Sequence, residues 1–267
     1  MEKFELICNN IKNLKIQGAR NIAIAGLKAL KIDSSEKAIN HLLSLRATEP
    51  TLRNAINYAK KNGIDVALNY FDKTSQLVHK NAAKLIKNNY IIYTHCHSSM
   101  VIESLKEALP KKFIVNNTET RPKFQGRITS LELSKLNIPN NHFIDSAMRL
   151  AIKHATIAML GCDAITYNCK IINKIGSELV AETCYTSGVP LYIITNSWKY
   201  DNQSSEFKPT IIEERPPKEI WGNPPKNIKI HNYAFEKINP EIVTAIVSEF
   251  GILKPKQFVK LARENLR

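Results

Sequence analysis

"YIIYTHCHSSMVIESLKEAL", Tyr90 to Leu109, decides the fold. Its first five residues are apolar, aromatic or β-branched and read as a short buried strand. "SMVIESLKEAL" then has the spacing of a helix that starts near Ser98. Thr94-His95-Cys96-His97-Ser98 joins the two, a polar and reactive junction. Downstream, the apolar runs "KFIVNN", "NHFID", "DAITY" and "PLYIIT" alternate with the helical stretches "ITSLELSKL", "SAMRLAIKHATIAML" and "ELVAETCYTSG". Strands alternating with helices predict βαβ units, an α/β class and a parallel sheet.

Upstream the rhythm differs. "KFELICNNIKNLKI" places Phe4, Ile7, Ile11 and Leu14 on one helical face. "NIAIAGLKALKI", "SSEKAINHLLSL" (capped by Ser34 or Ser35), "TLRNAINYAKKNG" and "DKTSQLVHKNAAKLI" continue in the same way, with Gly63 where a helix should stop. The expected organisation is a helical N-terminal lobe over residues 1–85 and a sheet lobe over residues 86–267 that carries the site.

Ligands of parallel sheets bind beyond the carboxyl ends of the strands. Each expected strand runs into polar residues there: His95 to Ser98, Asn116 to Arg121, Asp145, a loop holding Asn173 and Lys174, and Asn196 to Lys199. No glycine-rich phosphate loop or dinucleotide fingerprint is present.

The bulk properties narrow the classes. The chain has 267 residues and is 43% hydrophobic and 23% charged. Its longest apolar runs are far too short to span a bilayer. Five scattered cysteines and the absence of a secretory leader argue for a reducing cytoplasm and against a disulfide framework. The net charge of +14 comes from lysines dispersed along the chain, so an anionic small substrate is expected, not nucleic acid or a membrane.

Neighbouring side chains of an extended segment point to opposite faces, so His95 and Cys96 are badly placed to grip one ion, and no metal is expected. A thiol just ahead of a helix sits where helix-terminal N–H groups lower its pKa, which suits a catalytic thiolate. The same place suits an inert buried cysteine, and the residues alone leave that choice open. Arg121 and Arg127 flank Gly126 on a loop leading into a helix, where an anion could approach the backbone. Asp163 alone reads as a turn or cap residue as readily as an acid.

Taken in order, "THC", "TRPKFQGR", "GCD" with "INKIGS", "PLYIITNSWK", "IEERPPKEI" and "AFEKINPEIVTAIVSEFGI" resemble the sugar-phosphate isomerases related to the regulatory subunits of translation initiation factor two-B. The match runs from about Gly18 to the end. It implies a helical lobe followed by a Rossmann-like lobe, no cofactor, and a homo-oligomer, dimer or hexamer. It also implies a catalytic pair, Cys96 from "THC" and Asp163 from "GCD". Length and "TRPKFQGR" are closer to the branch acting on ribose 1,5-bisphosphate than to the one acting on 5-methylthioribose 1-phosphate. Regulatory subunits of the same scaffold typically lack the Cys–Asp pair and bind without catalysis.

The implied chemistry has Asp163, held protonated, opening the sugar ring and Cys96, as thiolate, taking the C2 proton. The phosphates would rest on Gly18, Ala19 and Arg20, on Arg46, on Arg121, Gly126 and Arg127, and on Lys174, with His97, Ser98, Asn173 and Lys199 completing the substrate surface. Four departures fall in this surface. His97 stands where the isomerases have Asn, Gln17-Gly18-Ala19-Arg20 replaces "RGAG", Arg46-Ala47-Thr48-Glu49 replaces "RPTA", and Cys169 replaces a turn glycine.

Overall fold

The computed structural model describes residues 2–13, 15–16, 18–45, 50–208, 210, 212 and 214–266. Five helices come first: α1 (Glu2–Lys12), α2 (Ala19–Leu30), α3 (Glu36–Leu45), α4 (Pro50–Asn62) and α5 (Ile64–Ala83). The Ser35 hydroxyl caps α3 by accepting the Ala38 N–H at 3.2 Å. Phe4, Ile11, Ile22, Leu42, Leu52 and Ile56 meet in the core of this bundle. The last turns of α5 belong elsewhere: Val78, Ala82 and Ala83 pack with the core under the sheet.

The sheet begins with β1 (Tyr90–Thr94), then α6 (Ser99–Glu107), β2 (Phe113–Thr118), α7 (Gln125–Lys135) and β3 (Asn140–Phe143). Next come α8 (Met148–Lys153), β4 (Ile157–Leu160), α9 (Ser177–Ser187), β7 (Leu191–Ile194), β9 (Ala245–Ser248), β10 (Gly251–Leu253) and α10 (Pro255–Asn265). Between β4 and α9 lie β5 (Ala164–Ile165) and β6 (Ile171–Lys174), which form a separate antiparallel sheet with β8 (Phe235–Ile238).

The large sheet runs β10-β9-β7-β4-β1-β2-β3, with β10 antiparallel to β9 and every other pair parallel. Counting the parallel strands in chain order, this is the 3-2-1-4-5-6 order of the Rossmann fold, as expected. Its order reverses between β1 and β4. The chain leaves the end of β1 toward β2 and the end of β4 toward β7, opening a crevice between the two departures. Cys96 follows β1 and Asp163 follows β4, so topology puts them at the two lips of one crevice.

Two expectations need correction. "DAITY" is not a strand of the parallel sheet; the fourth parallel strand is Ile157–Leu160, inside the stretch read as one helix from Ser146. A continuous apolar run buried on both faces has no period of two, so "MRLAI" and "IAML" look alike in sequence and only packing separates helix from strand. Asn173 and Lys174 are likewise on strand β6, not in a loop.

One side chain docks the helices onto the sheet. Trp198, 1% exposed, follows β7 yet lies among Tyr58, Tyr70 and Phe71 of α4 and α5. Asn54 secures it by donating to the carbonyls of Trp198 and Tyr200, each at 2.8 Å. Arg53 adds an ion pair to Asp201 at 3.1 Å.

Candidate active site

Cys96 leaves β1 with φ of +67°, a left-handed conformation that non-glycine residues adopt at a cost of order 1 kcal/mol. Its backbone is pinned on both sides. The N–H donates to the Thr120 hydroxyl at 2.9 Å, and the carbonyl accepts from the Thr129 hydroxyl at 2.8 Å. Ser98 then caps α6, its hydroxyl accepting the Val101 N–H. Cys96 is thus aimed by the loop after β2 and by α7, not by its own strand alone.

That loop is shaped in turn by Asp145, just past β3. Its carboxylate accepts the Thr120 and Arg121 N–H groups at 2.8 and 2.7 Å. Gly126 is obligatory in "TRPKFQGR": a Cβ there would lie 1.8 Å from the Thr118 carbonyl oxygen. Asn117 holds the same glycine by donating to its carbonyl at 2.8 Å.

On the opposite lip, Asp163 is half-buried and precedes β5, its N–H donating to the Ile172 carbonyl at 2.8 Å. Lys174, at the end of β6, lies over the Phe235 ring, 4.6 Å from its centre. The Lys199 ammonium donates to the Cys162 carbonyl, immediately before Asp163. Asn173 is buried and donates to Ser177 at 2.8 Å, so it ties β6 to α9.

The electrostatics join the two lips. The Cys96 thiol is pushed up to about 11 from 9.0, first by burial and then by the negative charges of Asp163 and Asp145. Lys174 and the His97 N–H pull the other way and lose. The expectation of a thiol lowered by a helix terminus is therefore corrected: desolvation outweighs the helix, and at neutral pH the resting group is a thiol. Cys162, fully buried beside Asp163, is also raised to about 11 by burial, and its thiol donates to Thr195 at 3.1 Å.

The expected phosphate ligands are dispersed in their contacts. Arg121 donates to the Ile220 carbonyl at 3.1 Å, and Arg127 pairs with Glu119 at 2.9 Å while stacking on Phe124 at 3.9 Å. Gly18, with φ of +83°, opens α2, and Arg20 pairs with Asp72 of α5 at 3.0 Å. Ala19 is buried in the helical lobe. His97 contacts Thr129 at 3.2 Å and Glu132 at 3.8 Å. Arg46, with Ala47, Thr48 and Glu49, lies outside the described residues. Cys169, where a glycine was expected, does hold a left-handed φ of +65°. Among the described residues no group of three or more His, Cys, Asp or Glu side chains is arranged around a metal position.

Sequence reading missed Thr120, Thr129 and Asp145 as the groups that orient Cys96. Thr129 lies inside α7, but for Thr120 and Asp145 the signal was present, a polar residue placed just after strands β2 and β3. Their targets were not, because each bonds to backbone more than twenty positions away.

Comparison with known proteins adds the family. The profile of the initiation factor 2 subunit family matches residues 15–255. A Thermococcus kodakarensis protein named ribose 1,5-bisphosphate isomerase is 32% identical, over 97% of this chain and 93% of its own. One of the same name from Methanocaldococcus jannaschii is 33% identical, over 92% and 90%. A solved Pyrococcus horikoshii structure named translation initiation factor eIF-2B aligns with a TM-score of 0.86 at 24% identity, covering 97% of this chain and 99% of that one, a likeness of fold. Over residues 15–255 the chain belongs to the initiation factor 2 subunit family.

Proposed function

We propose that the protein is an aldose–ketose isomerase converting ribose 1,5-bisphosphate to ribulose 1,5-bisphosphate, with Cys96 and Asp163 moving the protons. The observation that carries this reading is topological: Cys96 follows β1 and Asp163 follows β4 at the switch point of the sheet, near enough for Asp163 and Lys174 to act on the charge of the thiol. Full-length similarity to two proteins named for that reaction supports the substrate.

The chemistry closes without a cofactor. Asp163 as the acid gives a proton to the ring oxygen, and the C1–O bond breaks as electrons from the C1 phosphate oxygen stabilise C1. Cys96 as thiolate takes the C2 proton, and the C–H electrons form the C1=C2 bond of an enol phosphate. Asp163, now a carboxylate, takes the C2 hydroxyl proton. The double bond collapses toward C1, which receives the proton held by Cys96, leaving a ketone at C2. Both side chains end as they began. Lys174 favours the thiolate and the electron-rich intermediate. Because Cys96 rests as a thiol, the reactive form is a minor one, thiolate with protonated carboxyl.

The test is phosphorus NMR of purified protein with ribose 1,5-bisphosphate. Cys96→Ser and Asp163→Asn should each lose at least about a hundredfold in turnover while still binding substrate. Near-parent rates in both variants overturn the assignment. A second reading, a binding subunit without turnover, draws on the fold likeness to the initiation factor structure. It predicts substrate binding with no conversion by the parent protein.

A further inference from the structure

His95 precedes the proposed proton carrier and is 3% exposed. Its Nε2 lies 2.9 Å from the Ile175 carbonyl oxygen, and its Nδ1 lies 2.6 Å from the Thr118 hydroxyl. A carbonyl can only accept, so Nε2 carries the hydrogen. Burial favours the neutral ring, so Nδ1 accepts from Thr118, whose hydroxyl has one hydrogen to give. The Tyr93 hydroxyl, 3.3 Å away, must therefore donate to Thr118. One directed chain results: Tyr93 to Thr118 to His95 to the Ile175 carbonyl. It crosses β1, β2 and the end of β6, with the hydrogen of the neutral ring on Nε2. Burial drives the ring's pKa down, in the same direction.

The far end of the chain is as confined as the near end. Ile175 sits between Lys174 and Gly176. Gly176 has φ of +97°, and a Cβ there would come within 2.9 Å of His95 Nε2. "NKIG" therefore ends in glycine for two reasons, a left-handed turn and a ring packed against it. At the near end, Cys96 is fixed by Thr120 and Thr129.

We propose that His95 is a positioning residue, a rigid strut between Thr118 and the Ile175 carbonyl that holds Lys174 at its working distance from the Cys96 thiol. The inference deepens the isomerase reading, in which the thiolate is the reactive form. The charged groups facing that thiol are Lys174 from β6, Asp163 ahead of β5 and Asp145 after β3. Two are negative. Lys174 is the cation opposing them, so loosening it leaves a thiol that ionises less readily.

Glutamine and asparagine separate the two ends of the strut. In His95→Gln the amide nitrogen reaches the Nε2 position and can donate to Ile175. In His95→Asn the side chain ends near Nδ1 and falls short. Two measurements are made on the full chain: turnover of ribose 1,5-bisphosphate, and alkylation of Cys96 by iodoacetamide at pH 8.5, read by mass spectrometry. His95→Gln should stay within about threefold of the parent in both. His95→Asn should lose about ten- to a hundredfold in kcat with a smaller change in KM, and alkylate Cys96 several-fold more slowly. Thr118→Val, which keeps its shape but frees Nδ1, loses the same link that His95→Gln loses and should likewise stay within about threefold of the parent. Equal behaviour of Gln and Asn overturns the proposal, as does a folded Asn variant whose Cys96 alkylates at or above the parent rate. Alkylation needs no substrate, so the strut is tested even if Cys96→Ser turns over normally and the isomerase reading falls.

Discussion

Gly161 lies directly beneath Ser98: a Cβ on the glycine would come 2.4 Å from the Ser98 hydroxyl and 2.7 Å from its Cβ. Ser98 follows Cys96 by two positions and caps α6, while Gly161 precedes Asp163 by two. This contact closes the crevice floor between β1 and β4.

Gly161→Ala should therefore destabilise the protein by about 1–3 kcal/mol through overpacking and displace both halves of the site. Ser98→Gly removes both clashing atoms. Thermal unfolding of the single and double variants should show coupling, with Gly161→Ala/Ser98→Gly losing less than the sum of the singles. Simple additivity would mean that the two residues do not meet.

The reactivity of Cys96 itself depends on pH. Its thiol ionises at about 11, so between pH 6.5 and 9 the thiolate fraction grows roughly tenfold per unit. Alkylation of Cys96 by iodoacetamide should speed up with pH by about that factor over the window in the parent. An alkylation rate already flat at pH 7 would mean that burial does not raise this thiol.

Asp145 both clamps and repels. Asp145→Asn keeps one acceptor and turns an amide N–H toward the other backbone donor, at a cost of about 1–3 kcal/mol. It also removes a negative charge that raises the Cys96 thiol. Melting temperature should fall while alkylation of Cys96 at pH 8 speeds up. A slower alkylation would contradict the electrostatic account.

Glu219 fastens the segment after Pro216 across "TRPKFQGR". Its carboxylate receives Arg215 at 2.6 Å and Lys123 at 3.1 Å, and these hold it near 2, below its usual 4.5. A depressed acid stabilises the fold above its unfolded pKa, and that contribution is lost as pH falls from about 4.5 toward 2. Half of Lys123 is exposed, so solvent screening reduces the contribution to about 2 kcal/mol. Glu219→Gln should lower stability by that amount at pH 7 and flatten the acid limb of a denaturation curve between pH 5 and 2.

Much of the scaffold was readable from periodicity. Every helix before Gly63 and the strands at Tyr90, Phe113 and Leu191 follow from apolar spacing, because each has one clear face or a clear boundary. Ile157–Leu160 was hidden because burial on both faces erases the period. The β5–β6 hairpin was obscured for another reason: two paired residues leave almost no pattern. Trp198 gave no hint that a residue after β7 would fill an aromatic pocket between α4 and α5.

What sequence by itself determined was the inventory: a thiol, a carboxyl group and several cations, each just after an apolar run, on a chain with the strand–helix alternation of a parallel sheet. What tertiary structure decided was which of them meet. Adjacency of β1 and β4 brings Cys96 toward Asp163, while Arg20, Arg121 and Arg127 bond to Asp72, Ile220 and Glu119. Ionisation was decided there too. A helix terminus is visible in sequence and argues for a thiolate, but burial is a property of the assembled core, and the cost of desolvating a charge exceeds what the helix returns.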